Sequence, residues 1–137
     1  MILELETAIK TKLETIWDFQ VVYDYFTLKT TWYPYASFEL NWFEWDYLDS
    51  QTILRDYKFN VMIIQEANQI TREEAKKIIY NLLDEMVEKF DWQMELWESM
   101  IVNWKIIKWE MWTFSNAEWN VLALNIEVSL EFEQAMN

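Results

Sequence analysis

The first part of the chain carries an apolar stripe at helical spacing. In the segment LELETAIKTKLETI, residues 3–16, the apolar residues recur every three or four positions: Leu5, Ile9, Leu13 and Ile16. Glutamate and lysine fill the positions between them, so the segment has one apolar and one polar face. The pattern predicts an amphipathic helix that lies on a sheet and ends at Trp17 and Asp18.

Three segments that follow alternate between two kinds of side chain, as strands do. They are residues 19–28 (FQVVYDYFTL), 35–41 (YASFELN) and 52–67 (TILRDYKFNVMIIQEA). A period of two predicts strands with one face toward a core. We expect the long third strand to run antiparallel to the second. About a dozen residues connect these two strands, too many for a tight hairpin, so we expect a projecting and mobile tip.

The clearest element is the segment TREEAKKIIYNLLDEMVEKFD, residues 71–91. Thr71 followed by Glu74 predicts a capping box, in which each side chain binds a backbone N–H of the other residue. Apolar residues then recur at helical spacing: Ala75, Ile78, Ile79, Leu82, Leu83, Met86, Val87 and Phe90. The stripe predicts a long helix on a sheet, and Asp91 followed by Trp92 marks its end.

Two further strands are predicted near the end of the chain, at residues 105–114 (KIIKWEMWTF) and 121–133 (VLALNIEVSLEFE). The order helix, three strands, helix, two strands predicts a single α+β domain over residues 1–137. We expect an antiparallel or mixed sheet of about four to five strands. Both helices should pack on its apolar face, and the opposite face should be acidic because glutamates alternate along the last strand.

The ionisable residues exclude most catalytic chemistry. The chain has no cysteine and no histidine, so it lacks thiol nucleophiles, thiolate ligands and the commonest general base. The glutamates of the last strand are typical of a solvated face rather than of a paired-carboxylate site. We therefore expect no enzyme activity, no catalytic residues, no cofactor and no metal site.

The net charge of the chain and the length of its apolar runs indicate which kinds of molecule it can bind. The chain has 11 basic and 24 acidic residues and a net charge of −13. This charge disfavours contact with nucleic-acid phosphates and favours basic partners. No apolar run approaches the roughly 18 residues that span a bilayer. The initial segment MILELETAIK lacks the basic start and apolar run of a signal peptide. We therefore expect neither nucleic acid nor a membrane as a partner.

Glycine and tryptophan depart from ordinary composition. The chain has no glycine and 10 tryptophans, whereas about 10 glycines are average for this length. Several tryptophans adjoin an asparagine or aspartate, a context typical of turns: Trp17, Trp42, Trp45, Trp92, Trp104 and Trp119. Some bacterial lineages read the UGA codon as glycine, and a table that assigns UGA to tryptophan would produce this sequence. We hypothesise that most of these positions are glycine in the native protein; the alternative is a tryptophan-rich protein with an aromatic interface.

The stretch FELNWFEWDYLDSQ, residues 38–51, places four aromatic side chains at the predicted tip. Trp42, Phe43, Trp45 and Tyr47 are our interface candidates, because exposed aromatic clusters mark protein or carbohydrate contacts. The alternative is a local hydrophobic cluster tucked under the loop. If the tryptophans are glycine, only Phe43 and Tyr47 remain of this cluster.

Four stretches, spread over nearly the whole chain, carry a family resemblance. They are TTWYPYASFEL (30–40), LRDYKFNVMIIQE (54–66), the helix from Thr71, and EWNVLALNIEVSL (118–130). Together they resemble the tail-terminator family of long-tailed bacteriophages, also called tail-completion or minor tail proteins. Members of that family have a proline-containing turn before a strand, a long R-x-Y-x-F-x-V strand, an amphipathic helix and a closing strand after a glycine turn.

The resemblance implies a structural virion protein with no catalytic residues. Such proteins form a ring, usually a hexamer, on the head-proximal end of the tail tube. The ring ends tube polymerisation and provides the surface that joins the head. By this resemblance, the partners are copies of the chain itself, the tail tube protein and the head–tail connector. The location is the virion, after assembly in the host cytoplasm.

Two other functions fit the same sequence. A head–tail connector or neck protein has a similar size and also forms rings, and only neighbouring genes would separate it from a terminator. A carbohydrate- or peptide-binding module that uses its tryptophans predicts a monomer with aromatic side chains along one groove.

Overall fold

The alternating segments pair into one mixed sheet in the computed structural model. The structure describes residues 2–28, 32–47, 49–90, 93–95, 101–115 and 120–135. The elements are α1 (Ile2–Glu14), β1 (Val21–Tyr23), β2 (Tyr35–Tyr47), β3 (Thr52–Glu66), α2 (Arg72–Phe90), β4 (Gln93–Glu95), β5 (Ile101–Ser115) and β6 (Asn120–Ala135). The α+β class predicted from the sequence is confirmed.

The sheet has the order β1-β2-β3-β6-β5-β4 in the part of the chain described here. Only the β1–β2 pair is parallel, and the other neighbours are antiparallel. Four long strands of 13 to 16 residues form its centre. Two three-residue strands, β1 and β4, lie at the edges. The prediction of about four to five strands covered the four long strands and, within residues 19–28, the edge strand β1. Among the described strands, only β4 was not predicted.

Both helices pack on one face of this sheet, which we call face A. One continuous core joins the helix stripes to the side chains that the strands direct toward them. Its fully buried members include Leu5, Ile9 and Ile79 from the helices and Phe59 and Ile126 from the sheet. The helical spacing in the sequence therefore identified most core-facing residues of both helices. Val87 is the exception, since it is 39% exposed, and the side chain of Phe90 lies outside the described residues. Burial of this apolar surface is the main stabilising contribution to the fold.

The start of α2 follows the predicted cap. The Thr71 Oγ1 accepts a hydrogen bond from the Glu74 backbone N–H at 3.1 Å. This contact satisfies one of the N–H groups that have no partner within the helix. The predicted end at Asp91 and Trp92 lies outside the described residues, since the helix is described to Phe90.

The opposite face, face B, is not the uniformly acidic surface that we expected. A second apolar cluster covers one end of it: Tyr35, Met62, Ile64, Val121 and Ala123, with Val21, Tyr23, Leu28, Tyr33 and Phe114 against them. The predicted strand over residues 19–28 ends at Tyr23, and the following chain carries Leu28 onto this cluster. The Tyr35 hydroxyl donates a hydrogen bond to the Thr27 carbonyl. Strand periodicity alone could not reveal that this segment leaves the sheet edge.

Beyond this cluster, face B carries cross-strand pairs of opposite charge. Lys105 lies 3.8 Å from Glu131, and Lys108 lies 3.3 Å from Glu127. A bulge between Ile106 and Lys108 changes the alternation of β5, so that Lys108 pairs across the strands with Glu127. The acidic row predicted on the last strand is therefore partly neutralised by lysines of its neighbour.

Candidate assembly interface on the β2–β3 hairpin

Strands β2 and β3 form a long hairpin, and we call its outer half, residues 41–47 and 52–58, the arm. Strand β2 continues to Tyr47 and β3 begins at Thr52, with residues paired from Tyr35↔Ile64 to Tyr47↔Ile53. The prediction of a dozen-residue mobile connection is wrong, because residues 42–47 belong to the strand. Their alternating aromatic and acidic side chains favour a paired strand, since aromatic residues have high β propensity.

A bulge decides which side chains of the arm face which way. The register shifts between Leu40 and Trp42, so Asn41 has no cross-strand partner. Strict alternation from Leu40 would have placed Trp42 on face A. The extra residue instead places Trp42 on face B opposite Lys58, and Phe43 on face A opposite Tyr57. The four interface candidates therefore do not form one cluster, since Trp42 lies on the other face from Phe43, Trp45 and Tyr47.

On face A an aromatic row leads from the core to the surface. The rings of Phe132 and Tyr57 stack with centroids 5.8 Å apart, and both side chains are buried. Phe43 follows with its centroid 4.8 Å from that of Tyr57, and the Arg55 guanidinium lies 5.8 Å above the Phe43 ring. Aromatic and cation–π contacts of this kind hold side chains in defined positions. The row is therefore anchored at its buried end.

The outer end of this row is open to solvent. Phe43 is 37% exposed, Trp45 53% and Tyr47 58%. The Trp45 and Tyr47 rings contact each other edge to face at 5.1 Å. Contiguous exposed aromatic surface on an ordered element is typical of a protein contact. We name these three side chains the hairpin patch.

The strand edge beside the hairpin patch lacks a neighbour over most of its length. Strand β1 pairs only with Tyr35–Ser37, so residues 38–47 of β2 have no outer partner strand within the described ranges. Such an edge presents backbone N–H and C=O groups to a strand of another chain. The bulge at Asn41 and the acidic residues Glu39, Glu44 and Asp46 limit indiscriminate pairing along it.

Apart from Trp42, the face B side of the arm is mainly polar, and charged side chains on it pair with one another. Lys58 lies 3.0 Å from Glu44 and 3.7 Å from Asp56. The hydrogen bond from Lys58 lowers the pKa of Glu44, and the same bond raises the pKa of Lys58. Beneath this pair, the buried Ser129 hydroxyl donates to the Asp56 carboxylate at 2.5 Å. These contacts stabilise the strand pairing and leave the apolar contact surface on face A.

The described part of the chain shows neither a metal-ligand cluster nor a membrane-spanning helix. No group of three or more aspartate and glutamate side chains there is arranged to hold a metal ion. Neither of the helices described is long and apolar enough to cross a bilayer.

No protein-family model matches the chain, and no curated protein matches it. The resemblance to tail terminators therefore stays a prediction from the stretches quoted above. Sequence reasoning found the hairpin patch but not its face, because a one-residue bulge leaves no distinct signal in the sequence. Sequence reasoning also missed a cavity on face B. Its polar lining residues come from three different strands, so no single stretch of sequence marks it.

Proposed function

We propose that the chain is a structural virion protein of the tail-terminator kind. It would assemble as a ring on the end of a phage tail tube, end tube polymerisation and present a surface for the head. The hairpin patch beside an open strand edge carries this proposal. The element order, helix, three strands, helix and then the last strands, supports it, since the resemblance implies that arrangement.

The physical basis of assembly would be burial of the hairpin patch against a neighbouring subunit. Each large aromatic side chain buries about 150–250 Å² when fully covered, and aromatic residues dominate interface energetics. The adjacent β2 edge can add main-chain hydrogen bonds that fix the orientation of the two subunits. Like net charges of −13 oppose this association, so the ring should be more stable at higher salt.

A tube-polymerisation assay tests the role in termination. The tail tube protein encoded beside this gene is polymerised with and without the chain, and tube lengths are measured by electron microscopy. We expect shorter tubes, with additional density at one end. Tyr47→Ser should reduce capping at least tenfold, whereas Tyr25→Ser should not. Tyr25 is a matched control because it is 54% exposed and lies outside the hairpin.

Two outcomes of this assay would overturn the proposal. One is an unchanged length distribution at excess chain. The other is equal capping by both tyrosine variants, which would remove the hairpin from the mechanism. Because neither variant alters a tryptophan, the comparison holds whether positions 42 and 45 are tryptophan or glycine.

We propose also that most tryptophan positions are glycine in the native protein. Trp17 is 90% exposed just after α1 ends, where glycine commonly stops a helix. Among the described tryptophans, Trp32, Trp42, Trp45, Trp109 and Trp112 are also exposed, and only Trp104 is buried. Large indole side chains rarely occupy so many exposed positions. Intact-mass measurement of protein from the native host tests this: a mass with glycine supports it, and the mass of the printed sequence refutes it.

A further inference from the structure

A small cavity on face B has a composition unlike the rest of that surface. It has a volume of about 150 Å³ and borders the apolar cluster of that face at Met62, which lines it. Three neighbouring strands supply its polar floor: Ser37 from β2, Asn60 from β3 and Asn125 from β6. This volume holds a few water molecules or the end of one long side chain.

The floor contains a buried hydroxyl that the fold does not use. Ser37 is 1% exposed, and its Oγ has no hydrogen-bond partner among the residues that the structure describes. Native proteins usually satisfy buried polar groups, and an unsatisfied one marks a functional role or a missing small molecule. Since Ser37 lines the cavity, a bound group there is the natural partner for its hydroxyl.

Aromatic side chains form the walls, and a carboxylate stands at the rim. Phe26 and Trp112 line the cavity and are both partly exposed. One oxygen of Glu39 accepts the Phe26 backbone N–H at 2.8 Å, which fixes the position of the carboxylate beside the ring. Its second oxygen has no partner within the described chain. Aromatic faces and a carboxylate together attract an organic cation.

The charges around the cavity favour a cation from a different protein. Lys58 and Lys108 on the same face are occupied in ion pairs, with Glu44 and Glu127 respectively. Glu110, the cross-strand neighbour of Asn125, forms no ion pair within the described residues. A second copy of the chain would bring a further net charge of −13. The complementary partner is therefore basic.

We propose that this cavity binds a lysine or arginine side chain of a basic partner protein. The cationic head would lie between Phe26 and Trp112 and donate hydrogen bonds to Glu39 and to the amide oxygens of Asn60 and Asn125. The Ser37 hydroxyl would accept a further hydrogen bond. This site lies on the opposite face from the hairpin patch, so the proposal does not depend on ring formation.

A titration followed by NMR tests the site. The probe is Nα-acetyl-lysine amide, and the matched neutral probe is Nα-acetyl-norleucine amide, which has a similar chain without the charge. We expect the lysine probe to shift the side-chain amide signals of Asn60 and Asn125 saturably, and the norleucine probe to leave them unchanged. Equal shifts from both probes, or no shift at the highest concentration, would overturn the proposal.

Three variants separate binding from folding. Glu39→Gln should weaken binding of the lysine probe about tenfold, because a charge-assisted hydrogen bond is lost while the glutamine oxygen can still accept the Phe26 N–H. Ser37→Ala should weaken binding several-fold without lowering the urea midpoint, since its hydroxyl has no partner in the described fold. Glu14→Gln makes the same charge change on α1, across the sheet, and should leave binding unchanged.

Trp112→Gly measures the contribution of the second wall. We expect roughly a two- to fivefold loss of affinity from one cation–π contact, so the site would persist, more weakly, if position 112 is glycine in the native protein. A response of Glu14→Gln equal to that of Glu39→Gln would show a general charge effect and overturn the site. If the side-chain amide signals of Asn60 and Asn125 shift when only the protein concentration is raised, a second copy of the chain occupies the cavity. That result would overturn the proposal of a different, basic partner protein.

Discussion

The same two strands, β2 and β3, have a buried half and a projecting half. At one end, Tyr35–Phe38 and Val61–Gln65 are buried in the sheet. At the other, every residue of β2 from Asn41 to Tyr47 is exposed. Backbone pairing is continuous through both halves, so it does not explain the difference. What differs is the cover over the two faces: at the buried end the helices cover face A, and residues 21–28 cover part of face B.

Element lengths account for this difference. Strand β6 has 16 residues and spans about 50 Å. Helix α2, the longer helix, has 19 residues and spans only about 28 Å. The helices therefore cannot cover the whole sheet. The side chains of the hairpin patch contact Tyr57 or each other, but 37–58% of their surface stays exposed. We propose that another molecule covers this arm, and we therefore assign assembly to the hairpin patch.

The largest predicted difference is in the free energy of unfolding lost when a phenylalanine of each half is replaced by alanine. Phe59→Ala, in the covered half, should lower the free energy of unfolding by about 3–5 kcal/mol, because a fully buried ring leaves a cavity. Phe43→Ala, in the projecting half, should cost about 1 kcal/mol, since that ring is partly exposed. Urea unfolding monitored by circular dichroism measures both values. Equal losses would show that the hairpin is part of the cooperative core.

The polar face of the arm provides the next test. Asp56→Ala removes the acceptor of the Ser129 hydroxyl, and Ser129 is fully buried. An unsatisfied buried hydroxyl costs about 1–3 kcal/mol, so the urea midpoint should fall accordingly. Asp24→Ala alters an exposed aspartate and should stay within about 0.5 kcal/mol. If the two variants unfold at the same midpoint, the Asp56–Ser129 contact does not stabilise the projecting half.

A smaller effect is expected at the first turn of α2. Thr71→Ala removes the cap on Glu74 and should cost about 1 kcal/mol. Thr11→Ala, on the exposed side of α1, should be neutral or slightly stabilising because alanine favours a helix. Thermal and urea unfolding of both variants compare a capping threonine with a mid-helix one. If Thr71→Ala leaves the free energy of unfolding unchanged, water satisfies the backbone N–H groups of the first turn as well as the threonine does.

The smallest effect concerns two carboxylates of the helical layer, Glu85 on α2 and Asp18 just after α1. A hydrogen bond with Asp18, together with burial, raises the pKa of Glu85 above its usual range. A raised folded-state pKa contributes stability below the unfolded-state pKa, and this contribution is lost as the pH rises through the folded value. Glu85→Gln should therefore raise the urea midpoint slightly near neutral pH and have no such benefit in acid. A benefit that grows as the pH falls would contradict this assignment.

The sequence predicted those elements in which one periodicity persists over many residues. The apolar stripes of α1 and α2 extend over three or more helical turns, and the alternation of β3 and β6 extends over many residues. All four elements were predicted as the structure has them. The interface candidates Trp42, Phe43, Trp45 and Tyr47 were proposed from the run of aromatic residues in the stretch 38–51. Whether they bind another subunit stays a prediction.

The features that the sequence did not reveal depend on single residues or on distant strands. The bulge at Asn41 reverses the faces of the hairpin side chains, and no local pattern marks it. The segment after Tyr23 leaves the sheet, and its Leu28 packs against the apolar cluster of face B. Tertiary contacts of this kind outweigh local strand propensity. The polar floor of the cavity joins Ser37, Asn60 and Asn125 only through strand register.

Sedimentation equilibrium tests the assembly claim most directly. The unmodified chain, Tyr47→Ser and Tyr25→Ser are compared over a range of protein and salt concentrations. We predict a closed assembly for the unmodified chain and for Tyr25→Ser, strengthened by salt, and a mass close to that of the single 17.0 kDa chain for Tyr47→Ser. A monomer for all three at high protein and salt concentration, or an assembly indifferent to Tyr47→Ser, would contradict the assignment of the hairpin patch.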